Sequence, residues 1–142
     1  MENQKPGPGP GSYSVAGTGT PTGAEQILFD HEKLEVYVVA REFLEMTYPF
    51  LRRKMSRSLR EQFERASLSI VANIAEGAGK TSRADKQRLY EIGRGSTTET
   101  AALLDAMRSR EAIAVEEYQR ARSLLIRVKQ MLSRLSGPPR ST

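Results

Sequence analysis

The sequence predicts an all-α fold, an antiparallel up-down-up-down four-helix bundle with a disordered N-terminal tail. Four stretches repeat their apolar residues at spacings of three and four, the period of an amphipathic helix. No stretch shows the strict alternation that is typical of a half-buried strand. The connections are short, which favours antiparallel neighbours. We expect a flexible tail over residues 1–28, the bundle over 29–137 and a short C-terminal tail over 138–142.

The composition limits the function classes. The first 28 residues contain PGPGPG and GTGTPTG and almost no large apolar side chains, so burial cannot offset their ordering entropy. This segment lacks the apolar core of a signal peptide, and no apolar run approaches the length of a membrane span. We therefore expect a cytoplasmic protein without a membrane partner. Because the chain has no cysteine, it has no disulfide, thiolate metal site or cysteine nucleophile.

The first two helices are predicted from their apolar seams and their ends. The first opens near Asp30 and must end, kink or restart at Pro49, which lacks an N–H. Its apolar side chains are Val36, Val39, Phe43, Met46 and Phe50. The second can start at Ser58, which has Glu61 three residues later as in a capping box. Its seam is Leu59, Phe63, Ala66, Ile70, Asn73 and Gly77.

The last two helices are predicted from the same spacing of apolar residues. Ser82 with Asp85 offers a capping box for the third helix. Its predicted seam is Leu89, Ile92, Ser96, Glu99, Leu103 and Ala106, with Gly93, Thr100 and Met107 flanking. The fourth, after a break near Glu111, has the seam Tyr118, Ala121, Leu125, Val128, Leu132 and Leu135. Gly137 and the following prolines end it.

The stretch Asn73–Ser82, NIAEGAGKTS, ends like a phosphate-binding loop. That loop needs a glycine five residues before Gly79, where this chain has Ile74, and it must follow a buried strand. The preceding residues instead continue a helical pattern. We interpret Gly77 and Gly79 as the end of the second helix, where a left-handed residue can close it.

Catalysis has few candidates. His31 stands at the first turn of the first helix with no second His or Cys near it. Arg94-Gly95-Ser96 lacks the Gly-x-Ser-x-Gly elbow of a serine nucleophile. Glu76 and Glu99 could form an acid–base pair, but a structural role is favoured. We predict a protein that is not an enzyme and that has no cofactor or metal.

Polar residues in the predicted seams need partners if they are buried. We predict a structural network that links the second and third helices. Its members are Asn73, Glu76, Arg94, Ser96 and Glu99. Its role would be to fix helix register, as single polar residues do in coiled coils. Ligand binding is the alternative.

The formal net charge is +5, and the basic residues form two groups. One group, at the junction of the first two helices, is Arg52, Arg53, Lys54, Arg57 and Arg60. The other recurs every seven residues on the fourth helix, at Arg120, Arg127 and Arg134. Both are candidate nucleic-acid contacts, although a row of charges also serves as a solvated face. With no interleaved aromatic residue, binding would be to the backbone and would weaken with salt.

Some apolar residues fall outside the primary seams, at Leu44, Leu124, Ile126 and Met131. Two interpretations remain open. The residues could widen the apolar stripes of a single bundle, as in many small bundles. They could instead supply a surface for self-association in a symmetric dimer or ring.

Several motifs resemble a known family. The pairing of Asn73-Ile74-Ala75-Glu76-Gly77 with the later Arg94-Gly95-Ser96 and Glu99 is the most specific of them. Together with Leu34-Glu35-Val36, Arg65-Ala66 and Ser69-Ile70, these residues look like a bacterial four-helix-bundle family. Its members include the protein encoded in intervening sequences of large-subunit ribosomal RNA and the accessory variability determinant of diversity-generating retroelements. The chain departs from the family pattern at Met55–Ser58 and at Ala114, where a capping Ser or Thr is usual.

The resemblance implies a basic homopentamer. For the retroelement branch it also implies a reverse transcriptase and its template RNA as partners. We therefore expect a non-catalytic, homo-oligomeric accessory protein that binds the RNA backbone. The alternative is a protein–protein interaction scaffold with no nucleic-acid role, in which the charge serves solubility.

Overall fold

The computed structural model describes residues 27–138, and all regular secondary structure within that range is helical. The four helices are α1 (Glu35–Thr47), α2 (Arg57–Ala78), α3 (Arg83–Ser109) and α4 (Val115–Ser136). Short 3₁₀ helices span Asp30–Lys33 and Tyr48–Arg52. The predicted N-terminal tail lies outside the described residues except for its last two, and the predicted C-terminal tail lies outside them except for Pro138.

The helices form the predicted antiparallel up-down-up-down bundle. Each packs against its neighbours in the chain, and α1 also packs against α4 to close the bundle. The most extensive contacts are between α2 and α3 and between α3 and α4. Large apolar side chains from all four helices are almost fully buried in one core, among them Phe43, Phe63, Ile70, Leu104 and Leu132. Burying each side chain of this size contributes about 1.5–3 kcal/mol, which drives the assembly.

The first helical region is not continuous. Asp30 begins a 3₁₀ helix, and Leu34 is extended, with φ −95° and ψ 127°, so that α1 begins only at Glu35. Pro49 lies in the first turn of a second 3₁₀ helix, where a backbone N–H would have no partner within the helix. Its missing N–H therefore costs no helical hydrogen bond. Phe50 in that 3₁₀ helix is buried in the core. Phe50 therefore continues the predicted apolar seam, although the helix changes from α to 3₁₀ before it.

The predicted start of α2 at Ser58 is wrong. Ser56 has the extended backbone of an N-cap, with φ −64° and ψ 147°, and its Oγ accepts a hydrogen bond from the Leu59 N–H at 3.1 Å. The Ser58 hydroxyl instead accepts a hydrogen bond from Gln62, one turn along. Glu61 pairs with Arg57 rather than reaching back to a cap.

The turn between α2 and α3 contains no phosphate-binding loop, because a helix and not a strand precedes it. Gly79 closes α2 with φ −80°, so the expected left-handed residue is absent there. Gly77 serves close packing, since a Cβ on it would lie 2.8 Å from Cε1 of Tyr90. Lys86 of α3 donates to the carbonyl oxygens of Gly77 and Ala78, at 3.3 and 2.8 Å. The Ser82 cap is confirmed, with Oγ accepting from the Asp85 N–H at 3.1 Å.

The predicted seam of α3 is only partly right, since Leu89 is buried as predicted and so are Gly93, Thr100 and Met107, which were expected to flank the seam. Ile92 is 45% exposed and Glu99 is exposed. The residues that α3 buries are Leu89, Tyr90, Gly93, Thr97, Thr100, Leu104 and Met107. Thr97 and Thr100 tolerate burial because their hydroxyls donate to the carbonyl oxygens of Gly93 and Ser96, at 2.8 and 2.7 Å.

The predicted seam of α4 is confirmed. Ala121, Leu125, Val128 and Leu132 are buried, and the two end positions of the seam are half-buried. Two residues of α4 outside the seam contact the core: Leu124, which faces α1, is buried in it, and Met131 is half-buried against it. The apolar stripe of α4 is thus wide, and the buried Leu124 offers no surface for self-association. Ile126 remains 39% exposed.

Candidate nucleic-acid interface

Arg53, from the predicted basic group at the junction, pairs with a carboxylate of α4, although its side chain is 37% exposed. It forms two hydrogen bonds with Glu117 at the start of α4, Nη1 to Oε1 at 2.5 Å and Nη2 to Oε2 at 2.6 Å. Its guanidinium also lies 5.3 Å from the ring centroid of Phe50. The hydrogen bonds from Arg53, with one from the Ala114 N–H, lower the pKa of Glu117 to about 2. Arg53 therefore ties the α1–α2 connection to α4.

Arg60 has a similar structural role. Its Nε donates to the carbonyl oxygen of Leu51 at 2.8 Å, and Nη2 donates to that of Arg53 at 3.1 Å. These carbonyls belong to the end of the second 3₁₀ helix, where no further helical turn follows to satisfy them. Arg60 is half-buried in this position. A phosphate would have to compete with these protein groups for the donors of Arg53 and Arg60.

The other members of the junction group face solvent. Arg52 lies over the ring of Tyr48, 4.9 Å from its centroid. Arg57 is exposed and forms an ion pair with Glu61 at 2.7 Å. Lys54 is exposed. The junction group is therefore divided into two structural and three surface cations.

Arg120, Arg127 and Arg134 form the predicted exposed row on α4, on the side that faces α1. Carboxylates of α1 lie close to part of it. Arg127 Nη2 is 3.7 Å from Glu35 Oε1, and Arg120 lines a shallow groove together with Glu42. An ion pair this exposed contributes roughly 0–1 kcal/mol, so a phosphate can replace the carboxylate at small cost.

A second basic row on α4 was missed by the sequence analysis. Arg122 and Lys129 are exposed and lie seven residues apart, on the flank that faces α3. This flank is identified by two contacts between α3 and α4. Tyr118, one turn before Arg122, donates its hydroxyl to Asp105 of α3 at 2.6 Å, a hydrogen bond that raises the pKa of Tyr118. One turn after Lys129, the Ser133 hydroxyl accepts a hydrogen bond from Arg94 of α3 at 3.5 Å.

The sequence contained a signal for both rows. From Tyr118 to the end of α4 it has five Lys and Arg and no Asp or Glu. A search for arginines at one heptad position finds the first row and overlooks the second. The absence of acidic residues over this length is the more informative property, because it concerns the whole outer surface of the helix.

The predicted polar network forms only in part. Ser69 and Ser96 join α2 to α3 through a hydrogen bond between their hydroxyls at 2.8 Å. Asn73 donates to the Ser69 carbonyl oxygen at 2.8 Å and to its hydroxyl at 3.0 Å. Arg94 points to α4 instead, and Glu76 and Glu99 are exposed. Three of the five predicted members therefore lie outside this network, Glu99 because the α3 seam was misplaced, and Ser69 belongs to it although it was not predicted.

Neither a metal site nor a membrane span is present among residues 27–138. No group of three or more His, Cys, Asp or Glu is placed to hold a metal ion in that range. His31 lies between two aromatic rings, stacked on Phe29 and edge-on to Tyr37, with centroid distances of 5.6 and 4.5 Å. None of the helices in the described range is both long and apolar enough to cross a bilayer.

Comparisons with known proteins identify a family and a similar solved structure. A search of curated proteins finds no match. Among solved structures, the chain is similar to a protein of unknown function from the S23 ribosomal protein family of Bacteroides thetaiotaomicron, with 26% sequence identity and a TM-score of 0.66. That alignment covers 72% of this chain and 99% of the other. The family model described as 23S rRNA-intervening sequence protein matches residues 32–134. Since this match spans most of the chain, the protein belongs to the 23S rRNA-intervening sequence protein family.

Proposed function

We propose that this protein is a non-catalytic accessory protein that binds the phosphate backbone of RNA through the outer surface of α4. The observation that carries the proposal is the charge of that surface, five basic and no acidic residues from Tyr118 onward. A protein that neutralises phosphates with Lys and Arg gains affinity by releasing condensed counterions. The family name, which refers to 23S rRNA, agrees with an RNA ligand.

The junction group supplies a smaller contribution. Arg52, Lys54 and Arg57 are exposed near the start of α4, because Arg53 ties their segment to Glu117. They can extend the basic surface beyond the N-terminal end of the helix. Arg53 and Arg60 are left out of this interface, since their donors serve protein carbonyls and a carboxylate.

The proposal includes assembly and partners. The protein acts in the cytoplasm as a homo-oligomer, a pentamer by family resemblance, so that several copies of α4 engage one RNA and raise its apparent affinity. A reverse transcriptase and its template RNA are the partners that the retroelement branch suggests. The mass of the RNA-free protein by light scattering tests the assembly, and a monomer would refute it.

A filter-binding titration tests the RNA proposal. We expect RNA retention by the full chain to fall steeply with salt, and to be lost when Arg120, Arg122, Arg127, Lys129 and Arg134 are all replaced by Gln. The control is Arg65→Gln with Arg88→Gln, which removes exposed cations from α2 and α3. No retention by the native chain at low salt would refute the proposal, and so would undiminished retention by the five-site variant.

A protein–protein scaffold is the second candidate function. It is favoured by exposed apolar side chains, of which Leu68 on α2 is 48% exposed and Ile92 on α3 is 45% exposed. Refutation of RNA binding would leave this function, with the basic residues acting as a solvated face.

A further inference from the structure

The two basic rows of α4 have a geometry that limits the kind of RNA they fit. One row is Arg120, Arg127 and Arg134, and the other is Arg122 and Lys129. With 3.6 residues per turn, the rows are separated by roughly 140° around the helix axis. Each row advances by about 10 Å per seven residues. The outer surface of α4 is therefore a ridge with a line of positive charge on each flank.

The strip between the rows is polar and mostly uncharged. Exposed along it are Gln119, Ser123 and Gln130, together with the partly exposed Ile126. Amide side chains such as those of Gln119 and Gln130 both donate and accept hydrogen bonds. No carboxylate lies on this strip after Glu116. A ligand that covers both rows would thus meet hydrogen-bonding groups between them.

A single strand is a poor match for this surface. Sites for single strands combine one positive groove with aromatic rings on which the bases stack. The aromatic residue of α4 is Tyr118, which is half-buried and donates its hydroxyl to Asp105. A strand that followed one row would leave the other row unused. The surface offers charge for two backbones and no platform for unpaired bases.

A duplex supplies two backbones, and the groups that its groove displays distinguish RNA from DNA. The inner side of α4 is buried along its length, at Ala121, Leu125, Val128 and Leu132, so about half of its ~10–12 Å diameter is available. A helix packed on its protein in this way can still enter the major groove of B-DNA, which is about 8.5 Å deep, but there its side chains read base edges and binding depends on base sequence. The minor groove of A-form RNA is wide and shallow and displays 2′-hydroxyls.

We propose that the ligand of α4 is double-helical RNA, with the ridge lying along its minor groove, one basic row against each backbone and the glutamines of the strip against 2′-hydroxyls. This inference rests on the proposed function and names the class of RNA. Recognition would depend on shape and 2′-hydroxyls and not on base sequence.

Fluorescence anisotropy with the full chain tests the inference. The probes are an RNA duplex of about 20 base pairs, longer than the ~33 Å of α4, its two separate strands, the DNA duplex of the same sequence and an RNA duplex of unrelated sequence. We expect both RNA duplexes to bind equally, and about tenfold more tightly than the single strands, which engage one row only. The DNA duplex should bind less tightly than the RNA duplexes.

Variants separate the two rows. Arg122→Gln with Lys129→Gln should lower the slope of log affinity against log salt by about 2, and Gln replacement of the other row by about 3, because each lost phosphate contact removes about 1. Gln119→Ala with Gln130→Ala should reduce the preference for RNA over DNA and leave the salt slope unchanged. Arg65→Gln with Arg88→Gln is the matched control for charge, and thermal melts verify that each variant folds.

The outcomes distinguish this inference from the proposed function. Equal affinity for single strands and duplexes, equal affinity for DNA and RNA duplexes, or no effect from one of the rows would overturn the inference while RNA binding stands. Failure of every RNA to bind would remove the proposed function itself.

Discussion

Replacing Gly77 by alanine tests the close approach of α2 and α3. The added Cβ would lie 2.8 Å from Tyr90 Cε1, 3.0 Å from Cδ1 and 3.3 Å from Leu89 Cβ. The Tyr90 ring cannot move aside into solvent, since the residue is 4% exposed. Overpacking of this kind costs about 1–3 kcal/mol, whereas Gly to Ala within a helix gains up to about 1 kcal/mol. We expect Gly77→Ala to lower the free energy of unfolding by about 1–2 kcal/mol.

Gly95→Ala is the matched control on α3. Gly95 is exposed, and no atom lies within 4 Å of the position that its Cβ would take. This variant should raise the free energy of unfolding by up to about 1 kcal/mol through helix propensity alone. Urea titrations followed by far-UV circular dichroism measure both effects. Equal changes in the free energy of unfolding for the two variants, or stabilisation by Gly77→Ala, would show that α2 and α3 do not approach this closely at Gly77.

Three further predictions concern single contacts. Glu117 has a depressed pKa in the folded state, so its contribution to stability is full above about pH 4.5 and is lost as the pH falls toward 2. Arg53→Gln should flatten that part of a pH–stability profile measured by urea titration. An unchanged profile would count against the Arg53–Glu117 pair. Ser56→Ala should cost about 1 kcal/mol in the same titration and Ser58→Ala under about 0.5, and the reverse order would move the cap back to Ser58. Ser69→Ala should cost about 1 kcal/mol, because it removes the hydroxyl that joins α2 to α3, and no loss of stability would deny that link a structural role.

How much of the fold the sequence predicts depends on residue type. The α4 seam could be read directly because its buried residues are large and aliphatic. The α3 seam could be read only in part, since it buries Gly93, Thr97 and Thr100, which carry little apolar signal. The two threonines are admitted by local hydroxyl–carbonyl hydrogen bonds. Apolar periodicity alone favoured the neighbouring line through Ile92, and this error also placed Glu99 in the predicted network.

The candidate site was predictable to a different extent. The charge of α4 is a property of a continuous stretch, so the sequence reveals it even though only one of its rows was recognised. Whether the donors of Arg53 and Arg60 are engaged by the protein depends on tertiary partners. Arg53 binds Glu117, which lies 64 residues along the chain. No local pattern distinguishes such a structural arginine from the exposed Arg52 beside it.

The pairing of α1 with α4 has a consequence for the order of folding. Contacts of α2 with α3, and of α3 with α4, join segments linked by short turns, whereas α1 must meet α4 across the whole intervening chain. Closing that long loop carries an entropic cost that is recovered only after its partner surface exists. The three C-terminal helices should therefore assemble first. The shortest helix, α1, then packs onto the core last, and substitutions in α1 should mainly accelerate unfolding.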